Sequence, residues 1–565
     1  MEYLLVFCAG VSLSEWLRTV AKQRAQAEAQ KLKLPAKTHQ QLILPQLSII
    51  SKISRKKQHD LDFKGHYNRR SDQLPLPKKG SVYVQLRDVF TDSSTNKAHG
   101  AKRQDKIVAF LGQAGIGKST ITRILVKQIL EKKILTNIEY IFYIPFRGMN
   151  FASPHGFVEF LFSGETLSFN GKPVDEQELL NVLGDGEGVI LIHDGLDEAN
   201  GSCFQSANPL PSDLTAATAD VHVKRLLSNK VLPKAVKVLT SRLKSFVEMP
   251  KSYQPLLMVD ILGFDDSARQ TLCQQLCPSQ DVFTRVTKYL KDHPDIASLC
   301  SVAANCACIL YALSKNSERG SVELVSTTDI YARVLASCTS QLTAKDRHAI
   351  VKNLTLLAMN GFVDGKLTFT EVDFQNAGLN ANHLQKLSQA FSDQQCHLDL
   401  KLIDGGTASG HFAHYTWQEF FTALHLLLYT PFKDFVSQTK HLFDSKWEVV
   451  ATFLYGFCNQ AVFSQVKKVF KPCDENLVKR KKEKLRILAL DRMKNLDPHN
   501  TLELLTLCCW LKEMKDDSVN QDVLQHLPSH ITLSGPVFHT DVSGLVYALK
   551  SSQDKVTLKI NCREG

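Results

Sequence analysis

The feature that most constrains this chain is an eight-residue stretch, Gly112-Gln113-Ala114-Gly115-Ile116-Gly117-Lys118-Ser119. It fits G-x-x-x-x-G-K-[ST] with one additional glycine, and its context fits too. The apolar run Ile107–Leu111 feeds it, and a pattern with Ile121, Ile124, Leu125 and Ile129 on one helical face leaves it. Glycines let the backbone curl so that successive N–H groups face an anion, and the following helix adds its N-terminal partial positive charge. Lys118 supplies a full charge for β- and γ-phosphates, and the Ser119 hydroxyl is a magnesium ligand. The expected nucleotide-binding set is therefore Gly112 through Thr120.

A second run, Val189-Ile-Leu-Ile-His193-Asp194-Gly195-Leu196-Asp197-Glu198, is an apolar strand ending in acids. Asp194 falls at the strand's C-terminal end, where open α/β sheets place ligands, and would hold magnesium directly or through water. Asp197 or Glu198, on the loop beyond, could orient or deprotonate the attacking water. His193 reads as a packed or hydrogen-bonded histidine. A third strand, Val236–Thr240, ends in Ser241-Arg242. Arg242 is read either as a surface arginine or as a γ-phosphate sensor. No [NT]-K-x-D signature follows, which favours adenine over guanine.

Five short apolar runs (Ile107–Leu111, Tyr140–Ile144, Val189–His193, Val236–Thr240 and Leu256–Ile261) alternate with helical patterns. Continuous apolar runs of this length indicate parallel strands covered on both faces. The fold class expected is a three-layer α/β P-loop NTPase with a parallel sheet, followed by helical and winged-helix domains, mostly α overall. The 565 residues suggest about four compact units. No internal repeat is visible.

Charge is unevenly spread. Residues 1–106 hold 20 Lys and Arg against 9 Asp and Glu, which accounts for the whole formal charge of +11. A basic segment on a neutral body reads as an arm or linker, and no nucleic-acid partner is expected. The 14 cysteines show no metal-ligand spacing and read as reduced, buried residues. The uncharged stretch Ile296–Ser314 reads as a buried helix pair, so no membrane span is expected. The run Lys479-Arg480-Lys481-Lys482 reads as a solvated helix face or a nuclear address.

Together the three site motifs resemble the NACHT domain of the NOD-like receptors, within the STAND signalling ATPases. Asp194-Gly-Leu-Asp-Glu198 and Thr240-Ser241-Arg242 carry that resemblance, and so do Ile261-Leu-Gly263-Phe264, His293-Pro294 and Thr328-Asp-Ile-Tyr331. His411-Phe-Ala-His414-Tyr-Thr-Trp-Gln-Glu-Phe-Phe421 resembles the winged-helix signature. The resemblance implies that Pro294 contacts adenine and that His414 contacts the ADP phosphate and holds a closed state. It departs at Ala303, where relatives usually have a second proline.

By this likeness the chain divides into an N-terminal helix and basic linker (1–80), a nucleotide-binding domain (81–265) and a first helical domain (266–340). A winged helix (341–430), a second helical domain (431–535) and the start of a leucine-rich-repeat region (536–565) follow. Leu502–Met514 and Asp541–Leu549 carry the last two assignments, and Val556–Cys562 resembles a first repeat strand. The first 80 residues show no death-fold pattern.

The implied function is an ATP/ADP-binding switch with Mg2+, slow ATP hydrolysis as reset, and nucleotide-controlled self-association in innate-immune or inflammatory regulation. Implied partners are adenine nucleotide, further copies or NOD-like receptor relatives, and an unknown adaptor protein. The implied location is cytoplasmic. Alternatives are a truncated regulator that captures full-length relatives, and an AAA+-like motor.

Overall fold

A computed structural model describes residues 12–32, 46–52, 86–90, 107–146, 154–198, 216–242, 246, 249, 253, 257–264, 266–277, 279–315, 324–390, 400–402, 408–412, 415–469, 474–497, 500–533, 539–552 and 556–560. The chain forms two compact units. The first comprises residues 1–113 and 117–262. The second comprises Gly263–Glu564 together with the loop tip Ala114–Ile116.

In the first unit, helix α1 (Leu13–Gln30) precedes strand β1 (Gln46–Lys52). Then follow β2 (Ile107–Leu111), α2 (Lys118–Leu130), β3 (Tyr140–Pro145), β4 (Val189–Asp194), α3 (Ala219–Leu227), β5 (Val236–Ser241) and β6 (Leu257–Gly263). The sheet order is β1-β6-β2-β5-β4-β3. The pairs β2–β6, β2–β5, β5–β4 and β4–β3 are all parallel. Every residue of β2, β4 and β5 is buried, as expected of strands covered on both faces. The five apolar runs are these five strands, within a residue or two at each end. The structure adds a sixth at the edge, β1, in the stretch that the sequence presents as basic linker.

Two histidines buried in this layer are held neutral. His193, fully buried, packs near Phe146 and Phe160, and burial pushes its pKa down to about 3. His222 on α3 is also fully buried and lies between Phe157 and Phe160. Its Nε2 is 2.8 Å from the His155 carbonyl oxygen, and its Nδ1 is 3.4 Å from Arg225 Nη1. A neutral ring donating from Nε2 and accepting at Nδ1 satisfies both. Burial lowers its pKa to about 4.

The second unit is helical around one continuous core that runs from Cys273 to Ala548. The downstream helical segments share that core. Helices α4 (Pro294–Leu299) and α5 (Ala303–Lys315) form the expected buried pair, broken at Cys300–Val302. Among the described residues no helix is long and apolar enough to cross a membrane. Of the nine described cysteines, seven are buried.

Further on lie α6 (Thr327–Cys338), α7 (Ala344–Asp364), the antiparallel pair β7 (Leu400–Leu402) and β8 (Ala408–Gly410), and α8 (Tyr415–Leu428). Helices α9 (Glu475–Lys494) and α10 (Thr501–Met514) follow. Near the end, β9 (His530–Leu533), α11 (His539–Ser551) and β10 (Thr557–Ile560) make a small unit with parallel strands.

Two buried charges seal helix ends across this core. Glu513 accepts from the Thr327 and Thr328 amides at 3.0 and 3.1 Å and from the Thr328 hydroxyl at 2.8 Å, placing an anion at the α6 N-terminus. Lys481 donates to the Leu426 and Leu427 carbonyls at 2.7 and 2.9 Å, placing a cation at the α8 C-terminus. Burial lowers the Lys481 pKa to about 8. Lys482 and Arg480 lie over the Phe463 and Phe432 rings at 3.7 and 4.2 Å. Within the basic run at 479–482, Lys481 and Lys482 are thus built into the fold, whereas Lys479 and Arg480 are exposed.

Because folded His222 refuses a proton until about pH 4 while the unfolded ring takes one up near its ordinary 6.5, acid favours unfolding across that interval. Stability is full above 6.5 and falls towards 4. In His222→Gln, which keeps a donor for the His155 carbonyl, chemical denaturation should show this loss reduced by about 3 kcal/mol.

Candidate functional site

The site lies at the carboxyl ends of β2, β5 and β4. Strand β5 sits between the other two, so the Thr240–Arg242 segment falls between the glycine loop and the acidic strand end. The Gly112 amide donates to the Ser241 carbonyl at 3.2 Å and holds the loop's first residue to β5. Gly115 and Gly117 have φ of 75° and 110°, in the left-handed region that residues with a Cβ rarely adopt. Gly117 is the N-cap of α2 and supplies no side-chain cap, so side chains leave the first amides of that helix open to an anion.

Lys118 Nζ donates to the carbonyls of Gly112 and Gln113 at 3.3 and 3.2 Å, and lies 3.8 Å from Asp197 Oδ2. The same Asp197 oxygen is 2.9 Å from Arg242 Nε. This contact is an ion pair lacking the alignment of a hydrogen bond. Arg242 is 6 % exposed, which removes the surface-arginine reading. Asp197 thus bridges two cations. Its other oxygen, Oδ1, is buried without a hydrogen-bond partner among the described residues.

Asp194 is held by hydroxyls from both flanking strands. Tyr143 donates to Oδ2 at 2.6 Å and Thr240 donates to Oδ1 at 2.8 Å. The Gly195 amide donates to Thr240 Oγ1 at 2.6 Å, which fixes the Thr240 proton towards the carboxylate. Burial, reinforced by the Asp194 charge, raises the Tyr143 pKa well above its ordinary 10 and keeps it a donor. Thr122, on α2, lies 3.1 Å from the Tyr143 hydroxyl and donates to the Ser119 carbonyl at 3.0 Å. A polar chain therefore runs from Ser119 to Asp194. Each carboxylate oxygen keeps a second lone pair, so the donor set of hydroxyl and carboxylate fits a hard divalent cation. The curled loop, open helix amides and Lys118 fit a polyphosphate.

The remaining expected residues are placed as follows. Thr120 is exposed on α2, and Ile116 is buried in the loop. Glu198 closes the short turn Leu196–Glu198, and Pro294 is the first residue of α4. His414 lies outside the described residues. The sequence did not single out Tyr143 or Thr122, because each looks like an ordinary member of an apolar strand or helix.

The loop tip has its own support within the second unit. The Ala304 amide donates to the Gly115 carbonyl at 3.2 Å. Gly263, with φ of 91°, ends β6 so close to the α4–α5 turn that a Cβ there would lie 2.1 Å from the Ser301 carbonyl oxygen and 2.8 Å from Ile116 Cδ1. The next amide, of Phe264, donates to that same oxygen at 2.9 Å.

Residues 106–280 match the family model described as the NACHT domain. The chain is 24% identical over 363 residues to NACHT, LRR and PYD domains-containing protein 1b allele 1 of Mus musculus. That match covers 64% of this chain and 28% of the relative. It is 24% identical over 329 residues to NACHT, LRR and PYD domains-containing protein 3 of Rattus norvegicus, covering 57% and 30%. The matched part thus spans less than a third of these relatives. Among solved structures, a Signal Transduction ATPase with Numerous Domains protein with a tetratricopeptide repeat sensor from Pyrococcus horikoshii aligns over 79% of this chain and 67% of that one. The identity is 13% and the TM-score 0.27.

Gly263→Ala should cost about 2–4 kcal/mol, from positive-φ strain and the displaced Ser301 carbonyl. Denaturant titration should show the lower midpoint, and hydrogen exchange should show faster opening at Ala304.

Proposed function

We propose that this chain, whose residues 106–280 form a NACHT domain, binds an adenine nucleotide with Mg2+ and uses it as a conformational switch of the NOD-like receptor type. The observation that carries the reading is the convergence at one sheet end of the curled loop, Lys118, the hydroxyl-held Asp194 and the Asp197–Arg242 pair.

Each part has a role in that reading. Loop amides and the α2 N-terminus take the phosphates. Lys118 exchanges its loop carbonyls for phosphate oxygens, since an ammonium keeps three donors whichever acceptors it meets. Ser119 and Asp194 hold the magnesium ion, which, when bound, neutralises charge on the β- and γ-phosphates. Asp197 keeps Lys118 and Arg242 within reach of the terminal phosphate, and Asp197 or Glu198 orients a water for slow hydrolysis. By the family resemblance Pro294 contacts adenine and His414 favours the ADP-held state.

The switch itself is a matter of differential affinity. Nucleotide shifts the balance between conformations only by as much as it prefers one of them, typically about 1–3 kcal/mol. Self-association with further copies or NACHT relatives, and signalling in inflammatory regulation, are the output proposed.

Lys118→Ala removes the only lysine of the loop and should weaken ATP and ADP binding by at least about a hundredfold, or roughly 2.7 kcal/mol. Isothermal calorimetry reads this directly. Unchanged affinity in a folded variant would refute the site.

A further inference from the structure

Tyr143 is buried on β3, the strand at one edge of the sheet, and its hydroxyl serves a residue of the neighbouring strand. Parallel pairing sets Tyr143 level with Ile192 of β4, and Pro145 level with Asp194. Side chains at one level of neighbouring strands share a face, and so do residues two apart on one strand. Tyr143 therefore shares the face of Asp194 but starts two residues short of it, a rise of roughly 6.6 Å. A side chain as long as tyrosine is needed to close that gap. Its hydroxyl arrives 2.6 Å from Asp194 Oδ2. Thr240 reaches the other oxygen at 2.8 Å with a short side chain, because the pairing of His193 with Leu239 brings it level with Asp194.

A carboxylate can only accept, so the Tyr143 proton goes to Asp194 and the phenol oxygen is free to accept in turn. Thr122 lies against it. This threonine is buried on α2, three residues beyond Ser119, with Oγ1 3.1 Å from the Tyr143 oxygen and 3.0 Å from the Ser119 carbonyl. Its hydroxyl has one proton for these two acceptors. Turned to the carbonyl, that proton stays within α2. Turned to Tyr143, it polarises the phenol and strengthens the bond to Asp194. Two uncharged hydroxyls thus link the helix that leaves the glycine loop to the acid at the end of β4.

We infer that Tyr143 is a positioning residue for the magnesium carboxylate, and that Thr122 sets how firmly it holds. Asp194, pinned at both oxygens, keeps one orientation, and each oxygen retains a lone pair for the cation or its water. Partners that orient a ligating carboxylate weigh heavily in metal affinity. Without the Tyr143 hydroxyl, Asp194 is held from one side only and can turn about its Cβ–Cγ bond. The cation site then loosens while the phosphate loop is untouched. The inference rests on the magnesium-nucleotide reading and deepens it: two buried hydroxyls set the metal requirement of nucleotide binding.

The test is ADP binding by the full chain, followed with a fluorescent ADP in EDTA and across a Mg2+ titration. Tyr143→Phe, which removes one oxygen and keeps the ring, should raise the Mg2+ concentration for half-effect about tenfold while leaving affinity in EDTA unchanged. Thr122→Val should raise it less, and Thr122→Ser should restore the unaltered value. In the Tyr143→Phe background, Thr122→Val should change nothing more. Thermal unfolding in EDTA separates orientation from packing. A merely structural hydroxyl lowers the midpoint and leaves the Mg2+ requirement alone.

A folded Tyr143→Phe chain with an unaltered Mg2+ requirement overturns the inference, and so does an equal loss of ADP affinity in EDTA. A Thr122→Val shift of the same size in both backgrounds overturns the link between the two hydroxyls. Should Tyr143→Phe fail to fold, Thr122→Val and Thr122→Ser decide the matter: equal Mg2+ requirements in the two overturn the inference. These results leave the nucleotide site standing, since ADP still binds. An unaltered chain that binds no ADP with or without Mg2+, or binds it with no Mg2+ effect, sinks the magnesium-nucleotide reading and the inference together.

Discussion

The arrangement of the α/β unit depends on keeping one carboxylate charged while out of water. Asp194 ends a strand with no exposed residue, and an ion in that position is costly unless hydrogen bonds replace its hydration. Two hydroxyls do so, one from each neighbouring strand. Their arrival depends on register. Asp194 lies level with Pro145 of β3, and His193 lies level with Leu239 of β5. A slip by one residue would reverse every side chain of β4 and bring His193 to the polar end. The parallel pairing, the buried Tyr143 and Thr240, and the position of the acid are thus one constraint met together.

The second unit meets the same problem at helix ends. Burying a helix terminus leaves amides or carbonyls unmatched, and helices drawn from far along the chain complete them. Glu513 does this for α6 from nearly two hundred residues away, and Lys481 for α8 from more than fifty. Each of these charges ties one helix end to a helix far along the chain.

Much of this was legible because local patterns carry it. Five apolar runs became five strands, and the glycine loop, Asp194 and the segment Thr240–Arg242 were recognisable by type and spacing. What escaped depends on partners that leave no local trace. Strand β1 lies among prolines and basic residues, and only the sheet's free edge recruits Gln46–Lys52. Tyr143 looked like one more core residue until Asp194 stood opposite its hydroxyl. Arg242, which the sequence left as either a surface arginine or a phosphate sensor, is a buried ion because Asp197 folds back onto it. Within the Lys479–Lys482 run, charge alone does not tell the exposed Lys479 from the buried Lys481, whose partners are carbonyls far along the chain.

The tight approach of Gly263 to Ser301, with Ala304 donating to Gly115, bears on how the molecule can be dissected. The α/β unit ends, by packing, at Leu262, which invites cutting there. Such a cut would remove the turn that Ile116 leans on and the Ala304 amide that donates to the Gly115 carbonyl. An excised fragment would keep every residue of the glycine motif yet lose part of the scaffold that shapes it. The smallest piece worth purifying for ligand work therefore extends past the end of α5, at Lys315.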